Sequence, residues 1–308
     1  MRKAVIPAAG FGTRFLPATK SLPKEMLPVV DKPVIQYIVE EVVASGIDQI
    51  ILITGWNKRA IEDHFDYNFE LESQLLATGK EGVFQQLRTI SDMAHFVYVR
   101  QKMQLGNGHA VLCAKDVVDE DEPIVVLWGD DFIDANPPRV KQLVDVHNRY
   151  QSSVLSVIRT DNPEDANRYG FVDGEEVEPG LVRVRRIVEK PGAGNAPSNL
   201  AMVSGCVLNP GIMAALGAIE PGKNGEIWLV DAINDMLKSQ QVYALEIRNG
   251  RYYDCGNKLE YLKANIDFAL RRPDLAEGLM DYLRHIVATA PDSGAIDWGG
   301  VPSAGLGR

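Results

Sequence analysis

The strongest constraint on the fold of this chain lies in its first dozen residues. Lys3 to Ala8 is a short apolar run that leads into the glycine-containing turn Ala9-Gly10-Phe11-Gly12. An apolar run of this length without alternation is a strand buried on both faces, and such strands belong to parallel sheets covered by helices. From Pro33 onward Ile35, Ile38, Val39, Val42 and Val43 recur at helical spacing until Gly46, with proline at the start and glycine at the end. Gln49 to Thr54 is then a second buried strand. Strand, helix and strand in this order require a right-handed crossover into a parallel sheet. The N-terminal half is therefore expected to be α/β.

The alternation continues. Strands are expected at Phe96–Arg100 and Ile124–Trp128, with helices near Gly108–Ala114 and Pro137–Tyr150. Asn68 to Met93 carries Leu71, Leu75 and Leu76 among charges and reads as an inserted helical segment. After Ser153 the texture changes. Val154–Ile158, Leu181–Val188 and Met202–Leu208 look like strands with few helices between, which suggests a mixed sheet and a sugar-facing subdomain. Helices return at Trp228–Lys238 and Lys258–Arg271, separated by the strand-like Val242–Ile247. From Pro291 the chain is rich in glycine, serine and alanine and is expected to be poorly ordered.

Bulk properties exclude several function classes. At 308 residues the chain fills one large α/β domain or two small ones. A net charge of -10, from 42 acidic and 32 basic side chains, opposes non-specific attraction to nucleic acid or anionic lipid. A polyphosphate ligand would therefore need local cations, backbone amides and a metal to overcome the overall field. Cys113, Cys206 and Cys255 are far apart and include no C-x-x-C pair, so buried thiols are expected rather than a disulfide framework or zinc site. The N-terminus runs apolar only to Pro7, too short for a signal-peptide core or a membrane span. The expected compartment is the cytoplasm.

The loop after the first strand, Pro7-Ala-Ala-Gly-Phe-Gly-Thr-Arg-Phe-Leu-Pro17, falls at the carboxyl end of the parallel sheet, where α/β proteins bind ligands. Small Ala8, Ala9 and Gly10 admit a ligand close to the backbone. Gly10 and Gly12 permit a tight turn whose amides converge on phosphate oxygens, and Arg14 adds a forked cation. A dinucleotide fingerprint would need glycine where Phe15 stands, and an ATPase phosphate loop would need Gly-Lys-Ser/Thr, which is absent. An ordinary strand-to-helix turn remains open on this segment alone.

Other polar groups are ambiguous one at a time. Lys24 and Glu25 sit between two prolines in Lys20-Ser-Leu-Pro-Lys-Glu-Met-Leu-Pro28, and in isolation would be a solvated surface pair. Asp130 follows the apolar run Ile124–Leu127, and Asp254 follows strand-like residues. Both could be hard-oxygen metal ligands or turn formers. Asp131 would point to the opposite face if the strand continued, which favours Asp130. Glu189-Lys190-Pro191 ends another strand and suggests a division of labour, carboxylate to sugar hydroxyls and ammonium to phosphate, against an edge charge pair before a turn. Gln101 reads as an exposed polar residue after the strand Phe96–Arg100. His109 reads as structural, and Trp128 and Trp228 read as core or pocket wall.

Taken together, G-x-G-T-R-x-L-P-x-T-K followed by P-K-E-M-L-P resembles the sugar-nucleotide pyrophosphorylase superfamily, over nearly the whole chain. Within it, Gly106-x-Gly-His-Ala-Val111, Trp128-Gly-Asp-Asp131, Val188-Glu-Lys-Pro191, Gly225-Glu-Ile227 and Tyr253-Asp-Cys-Gly-Asn257, with the 68–93 insertion, are similar to the bacterial UTP:glucose-1-phosphate uridylyltransferases. The resemblance implies a Rossmann-like nucleotidyltransferase fold, a central mixed and mainly parallel sheet flanked by helices with a small sugar-binding β subdomain. It implies one catalytic domain over 1–290, with a nucleotide-binding half to 150, a sugar-binding half over 151–255 and C-terminal helices over 256–290 that serve as an oligomer contact, followed by a flexible tail over 291–308.

The resemblance also implies residue roles. Arg14, Lys24 and Lys190 would be catalytic. Ala8, Ala9, Gly10, Gly12, Thr13, Glu25, Gln101 and Gly106 would bind the nucleotide. Gly170, Glu189 and Gly205 would bind the sugar, and Asp130 and Asp254 would hold Mg2+. The implied reaction joins UTP to glucose 1-phosphate, giving UDP-glucose and pyrophosphate, in a homodimer or homotetramer with no nucleic-acid or membrane partner. A sugar phosphate oxygen is already a nucleophile, so alignment and charge neutralisation suffice. The alternatives are a thymidylyl- or cytidylyltransferase on the same sugar phosphate and a non-catalytic nucleotide-sugar sensor. The chain departs from the family pattern at Asn107, Trp228 and Val230.

Overall fold

Ala4, Val5 and Ile6 are fully buried, as a run covered on both faces must be. The computed structural model describes residues 1–222 and 225–289. In chain order its strands are β1 (Lys3–Pro7), β2 (Pro28–Val29), β3 (Lys32–Pro33), β4 (Gln49–Thr54), β5 (His95–Arg100), β6 (Ile124–Val126), β7 (Asp131–Ala135), β8 (Ser153–Arg159), β9 (Gly170–Glu178), β10 (Leu181–Glu189), β11 (Leu200–Leu208), β12 (Val242–Glu246) and β13 (Gly250–Asp254). The helices are α1 (Val34–Ala44), α2 (Arg59–Phe65), α3 (Phe69–Ala77), α4 (Glu81–Ser91), α5 (Asn107–Leu112), α6 (Arg139–Tyr150), α7 (Ile212–Ala218), α8 (Leu229–Met236), α9 (Lys258–Ala269) and α10 (Ala276–Thr289).

Nine strands form one sheet in the order β5-β4-β1-β6-β11-β8-β12-β10-β9. The first four are mutually parallel, and β12 is parallel to β8. β11 runs antiparallel to both β6 and β8, and β10 antiparallel to both β12 and β9. The sheet is therefore mixed, with β10 and β11 reversed and the other strands running in one direction. The strands expected after Ser153 extend the N-terminal sheet, and a separate two-stranded ribbon pairs β7 with β13, placing Asp131 opposite Asp254.

The topology positions the site. β1 lies between β4 and β6, so the connection after β1 leaves to one side and the chain returns on the other, opening a crevice at the carboxyl ends of β1 and β6. Gly129 donates its amide to the Pro7 carbonyl at 3.2 Å, which ties the loop after β6 to the end of β1.

Several elements escaped the sequence reading. β9 reads Gly-Phe-Val-Asp-Gly-Glu-Glu-Val-Glu, and only Gly170, Phe171 and Val172 are buried, so most of the strand carries no apolar signal. β6 is shorter than expected and stops at Val126, and β7 begins a different sheet at Asp131. The 68–93 insertion is the helix pair α3 and α4, the first capped by Asn68, whose Oδ1 accepts from the Leu71 amide at 3.0 Å.

Two compact units are present, Met1–Tyr261 and the residues from Leu262 onward. The first contains the whole sheet and the cavity described below. The second holds the remainder of α9, where Ala264 is buried, and α10, which has no buried residue among those described. The expectation of a flexible tail over 291–308 lies outside the described residues. Among the described residues, no helix is long and apolar enough to cross a membrane.

Candidate active site

A cavity of about 640 Å3 opens at the β1/β6 crevice. Its floor is the loop after β1. Gly12 adopts a left-handed φ of 66°, and a methyl group there would lie 3.1 Å from the Lys24 Cβ. Glycine at this position thus lets the loop lie against the stem of Lys24 and delivers its ammonium to the cavity. Thr19 ties the turn by donating to the Gly12 carbonyl at 2.7 Å.

Opposite charges converge there. Lys24 Nζ is 2.5 Å from Asp130 Oδ2. Burial disfavours both charges, but the two groups outweigh it for each other: Lys24 is held above its usual value, and Asp130, which also feels Arg14, is held below the ordinary carboxylate range. Both are therefore ionised at neutral pH. Asp254 lies at the end of β13, where its Oδ2 accepts from Arg168 and from the Tyr169 hydroxyl. Its Oδ1 accepts from the Gly256 amide at 3.0 Å.

Gly256 marks the meeting point of these groups. A methyl group on it would lie 2.9 Å from Asp130 Oδ2, 3.0 Å from Asp254 Oδ1 and 3.2 Å from Arg14 Nη1. Arg14 also donates to the Gly256 carbonyl at 3.2 Å. A carboxylate from the turn before β7, another from the end of β13 and a guanidinium thus flank one small space. Among the described residues no group of three or more acidic, histidine or cysteine side chains could hold a metal, so any ion here has at most these two protein carboxylates.

A fully buried pair supports the loop from behind. Lys58 Nζ donates to Glu25 Oε2 at 2.7 Å. Burial pushes Glu25 up and Lys58 down, each partly offset by the other. Glu25 also lines the cavity, and its Oε1 has no hydrogen-bond partner among the described residues.

At one end of the cavity Gln101 is buried and donates to the Gly106 carbonyl at 3.2 Å. Gly106 has a φ of 97°, and a methyl group there would strike the Ile227 carbonyl at 2.6 Å. The 105–108 segment is laced to 227–229 through Ile227 N to Leu105 O at 2.7 Å, Gly108 N to Ile227 O at 2.9 Å and Leu229 N to Asn107 Oδ1 at 2.9 Å. Asn107, a departure from the family pattern, is thereby a brace for the start of α8.

Glu189 and Lys190 line the cavity at the end of β10. Glu189 pairs across the sheet with Gly170, where a methyl group would come within 2.9 Å of its Oε2. Burial pushes the Glu189 carboxyl up, partly offset by Lys190. Lys190 has a left-handed φ of 44°, with its amide held by the Tyr169 carbonyl at 3.2 Å.

The third wall comes from β11, whose register slips between Met202 and Cys206. The bulged residues Val203 and Ser204 turn toward the cavity. Arg139, fully buried, holds this bulge: Nη1 donates to the Ser204 carbonyl at 2.7 Å, while Nε and Nη2 clamp Glu41 at 3.0 and 2.7 Å.

Of the residues expected from sequence, Ala9, Gly10, Arg14, Lys24, Glu25, Gln101, Gly106, Asp130, Gly170, Glu189, Lys190 and Asp254 all line this one cavity. Ala8, Gly12, Thr13 and Gly205 do not. Ala8 is buried beneath the loop, and Gly12 shapes it. Gly205 has a φ of 100°, and a methyl group on it would lie 2.8 Å from the Arg139 Cδ.

Asp131, expected on the far face, also borders the cavity because β6 ends before it. Burial drives its carboxyl up to about 8, offset in part by Arg139 and reinforced by the charges of Asp130 and Asp254. Sequence reasoning missed Gln104, which donates to the Ala9 carbonyl at 2.6 Å, and Arg168 and Lys58. Arg168 precedes Tyr169-Gly170, a cue that was present. Lys58 carried no local signal.

Comparison with known proteins agrees with this geometry. Residues 3–270 match the family model described as nucleotidyl transferase. The UTP–glucose-1-phosphate uridylyltransferase of Staphylococcus epidermidis is 47% identical over 287 residues, spanning 93% of this chain and 98% of that protein. Its namesake in Bacillus subtilis is 45% identical, with 93% and 97% covered. Among solved structures, the UTP-bound UGPase from Acinetobacter baumannii superposes with a TM-score of 0.83 at 39% identity, covering 94% of this chain and 99% of that one. A UDP-glucose pyrophosphorylase complexed with UDP-glucose gives 0.80 at 39% identity, covering 88% and 100%.

Proposed function

The chain belongs to the nucleotidyl transferase family, and from that premise we propose that it transfers the uridylyl group of UTP to glucose 1-phosphate, with the work divided among the residues that meet around Gly256 and the end of β10. A phosphate oxygen of glucose 1-phosphate attacks the α-phosphorus of UTP in line. The bond from that phosphorus to the bridging oxygen breaks, and pyrophosphate leaves with the electron pair. No enzyme-bound intermediate is needed.

The observation that carries this reading is the convergence of Arg14, Lys24, Asp130 and Asp254 on one small space in the cavity that also holds Glu189 and Lys190. Arg14 receives the departing pyrophosphate, Lys24 neutralises the nucleotide phosphates, and Lys190 holds the sugar phosphate while Glu189 accepts from sugar hydroxyls. The unpartnered Glu25 Oε1 suits a base that offers an N–H donor, as uracil does, and Gln101 and Gly106 stand at the same end. Residues 1–150 thus serve mainly the nucleotide and 151–255 mainly the sugar.

Asp130 and Asp254 fit magnesium, which takes hard oxygens and needs only one or two protein carboxylates beside substrate phosphates and water. When bound, the ion supplies charge neutralisation for the triphosphate. The proposed compartment is the cytoplasm, in keeping with three unpaired thiols at Cys113, Cys206 and Cys255. The C-terminal helices, with Leu262, Leu275, Tyr282 and Val287 exposed, are the proposed self-association surface.

A pyrophosphate-release panel across nucleoside triphosphates and sugar 1-phosphates tests the pairing, and turnover should be highest with UTP and glucose 1-phosphate. Lys190→Ala should lose turnover while its affinity for UTP stays within about threefold. Undiminished turnover would refute the role given to Lys190.

A further inference from the structure

We propose that Trp228 is a positioning residue for the Lys190 ammonium, a fixed aromatic platform that holds the charge where the phosphate of the sugar substrate arrives. The inference rests on the reading of Lys190 as the cation for that phosphate.

The Lys190 backbone is well held, but its side chain is half exposed, and four rotatable bonds separate the ammonium from the main chain. Freezing such a side chain when the substrate binds carries an entropic cost, so a platform that already restrains it favours binding. Two groups restrain it. Glu189 Oε1 lies 3.6 Å from Nζ, and the Trp228 ring centroid lies 5.5 Å from Nζ, within the range of a cation over an indole face.

One contact fixes the ring and two hold the backbone beside it. Its Nε1 donates to Glu226 Oε2 at 2.7 Å. Its backbone precedes α8, a helix anchored in the core by Leu229, Val230, Ala232, Ile233 and Met236. The next residue, Leu229, has its amide held by Asn107. Indole and carboxylate thus divide the work: Glu189 offers charge, and Trp228 offers a face that restrains the ammonium without neutralising it. A second full counter-ion would compete with phosphate, and an aromatic face competes far less.

The test measures the Kd of glucose 1-phosphate by calorimetry on enzyme saturated with α,β-methylene UTP, together with the Kd of that analogue. Trp228→Leu should weaken glucose 1-phosphate by about three- to tenfold and leave the analogue within about twofold. Trp228→Phe, which retains a ring, should recover most of the loss. In a Lys190→Ala background, Trp228→Leu should have no further effect. The inference fails if Trp228→Leu leaves glucose 1-phosphate unchanged, weakens both ligands equally, or acts as strongly without Lys190 as with it. If Lys190→Ala itself leaves glucose 1-phosphate binding intact, the role of Lys190 falls first. If Lys190→Ala weakens it and Trp228→Leu does not, only the platform is lost.

Discussion

Lys58 Nζ lies 2.7 Å from Glu25 Oε2, with side-chain exposures of 6% and 0%. The pair joins the segment after β4 to the Lys24-Glu25 turn, so a cation far along the chain fixes one wall of the cavity. Removing one partner leaves an uncompensated buried charge. Lys58→Met should therefore cost about 3–5 kcal/mol in urea denaturation, and combining it with Glu25→Gln should restore part of that. A double variant no more stable than Lys58→Met would show that the charge is not the cause.

Gly170 and Glu189 face each other across β9 and β10 with no room for a methyl group between them. Gly170→Ala should push the Glu189 carboxylate from its place and lower kcat/KM for glucose 1-phosphate by about 10- to 100-fold, with little change in KM for UTP. Steady-state kinetics with each substrate varied in turn read the difference.

Gly205 combines a φ of 100° with Arg139 Cδ at the place its side chain would occupy. In Gly205→Ala the backbone strain alone should cost about 1–3 kcal/mol, seen as a lower urea midpoint. The displaced guanidinium should in addition loosen Ser204 and raise KM for the sugar phosphate.

His64 does not line the cavity and gives a clean pH signature. Its ring is 2.9 Å from Gln36 Oε1, and burial holds its pKa below 6.5. As pH falls through 6.5 the unfolded chain takes up this proton before the folded one does, so the His64 contribution to stability is present above 6.5 and is lost as pH falls below it. His64→Gln should flatten the slope of unfolding free energy against pH in that window. An unchanged slope would place the titration elsewhere.

The legible parts of the molecule were those written locally. β1, β4, α1 and the strands β8, β10, β11 and β12 follow from runs of apolar residues, and the loop after β1 from glycines and Arg14 next to a strand end. β9 was not legible, because beyond Val172 it is no longer buried and carries polar residues throughout much of its length. Gly205 has no room for a side chain because Arg139 lies where one would stand. Sequence can mark a glycine as constrained, but it does not name the neighbour that needs the space.

What the sequence determined by itself was the α/β class, the order of elements through the crevice and the chemical types gathered for a polyphosphate, since periodicity and turn residues act within a few positions. What only the tertiary structure decided was adjacency. The meeting of Arg14, Asp130 and Asp254 at Gly256, the burial of Lys58 on Glu25, the bulge held by Arg139 and the seat of Lys190 on Trp228 all join residues distant in the chain. Such contacts arise from packing a mixed sheet and its ribbon, and no local pattern encodes them.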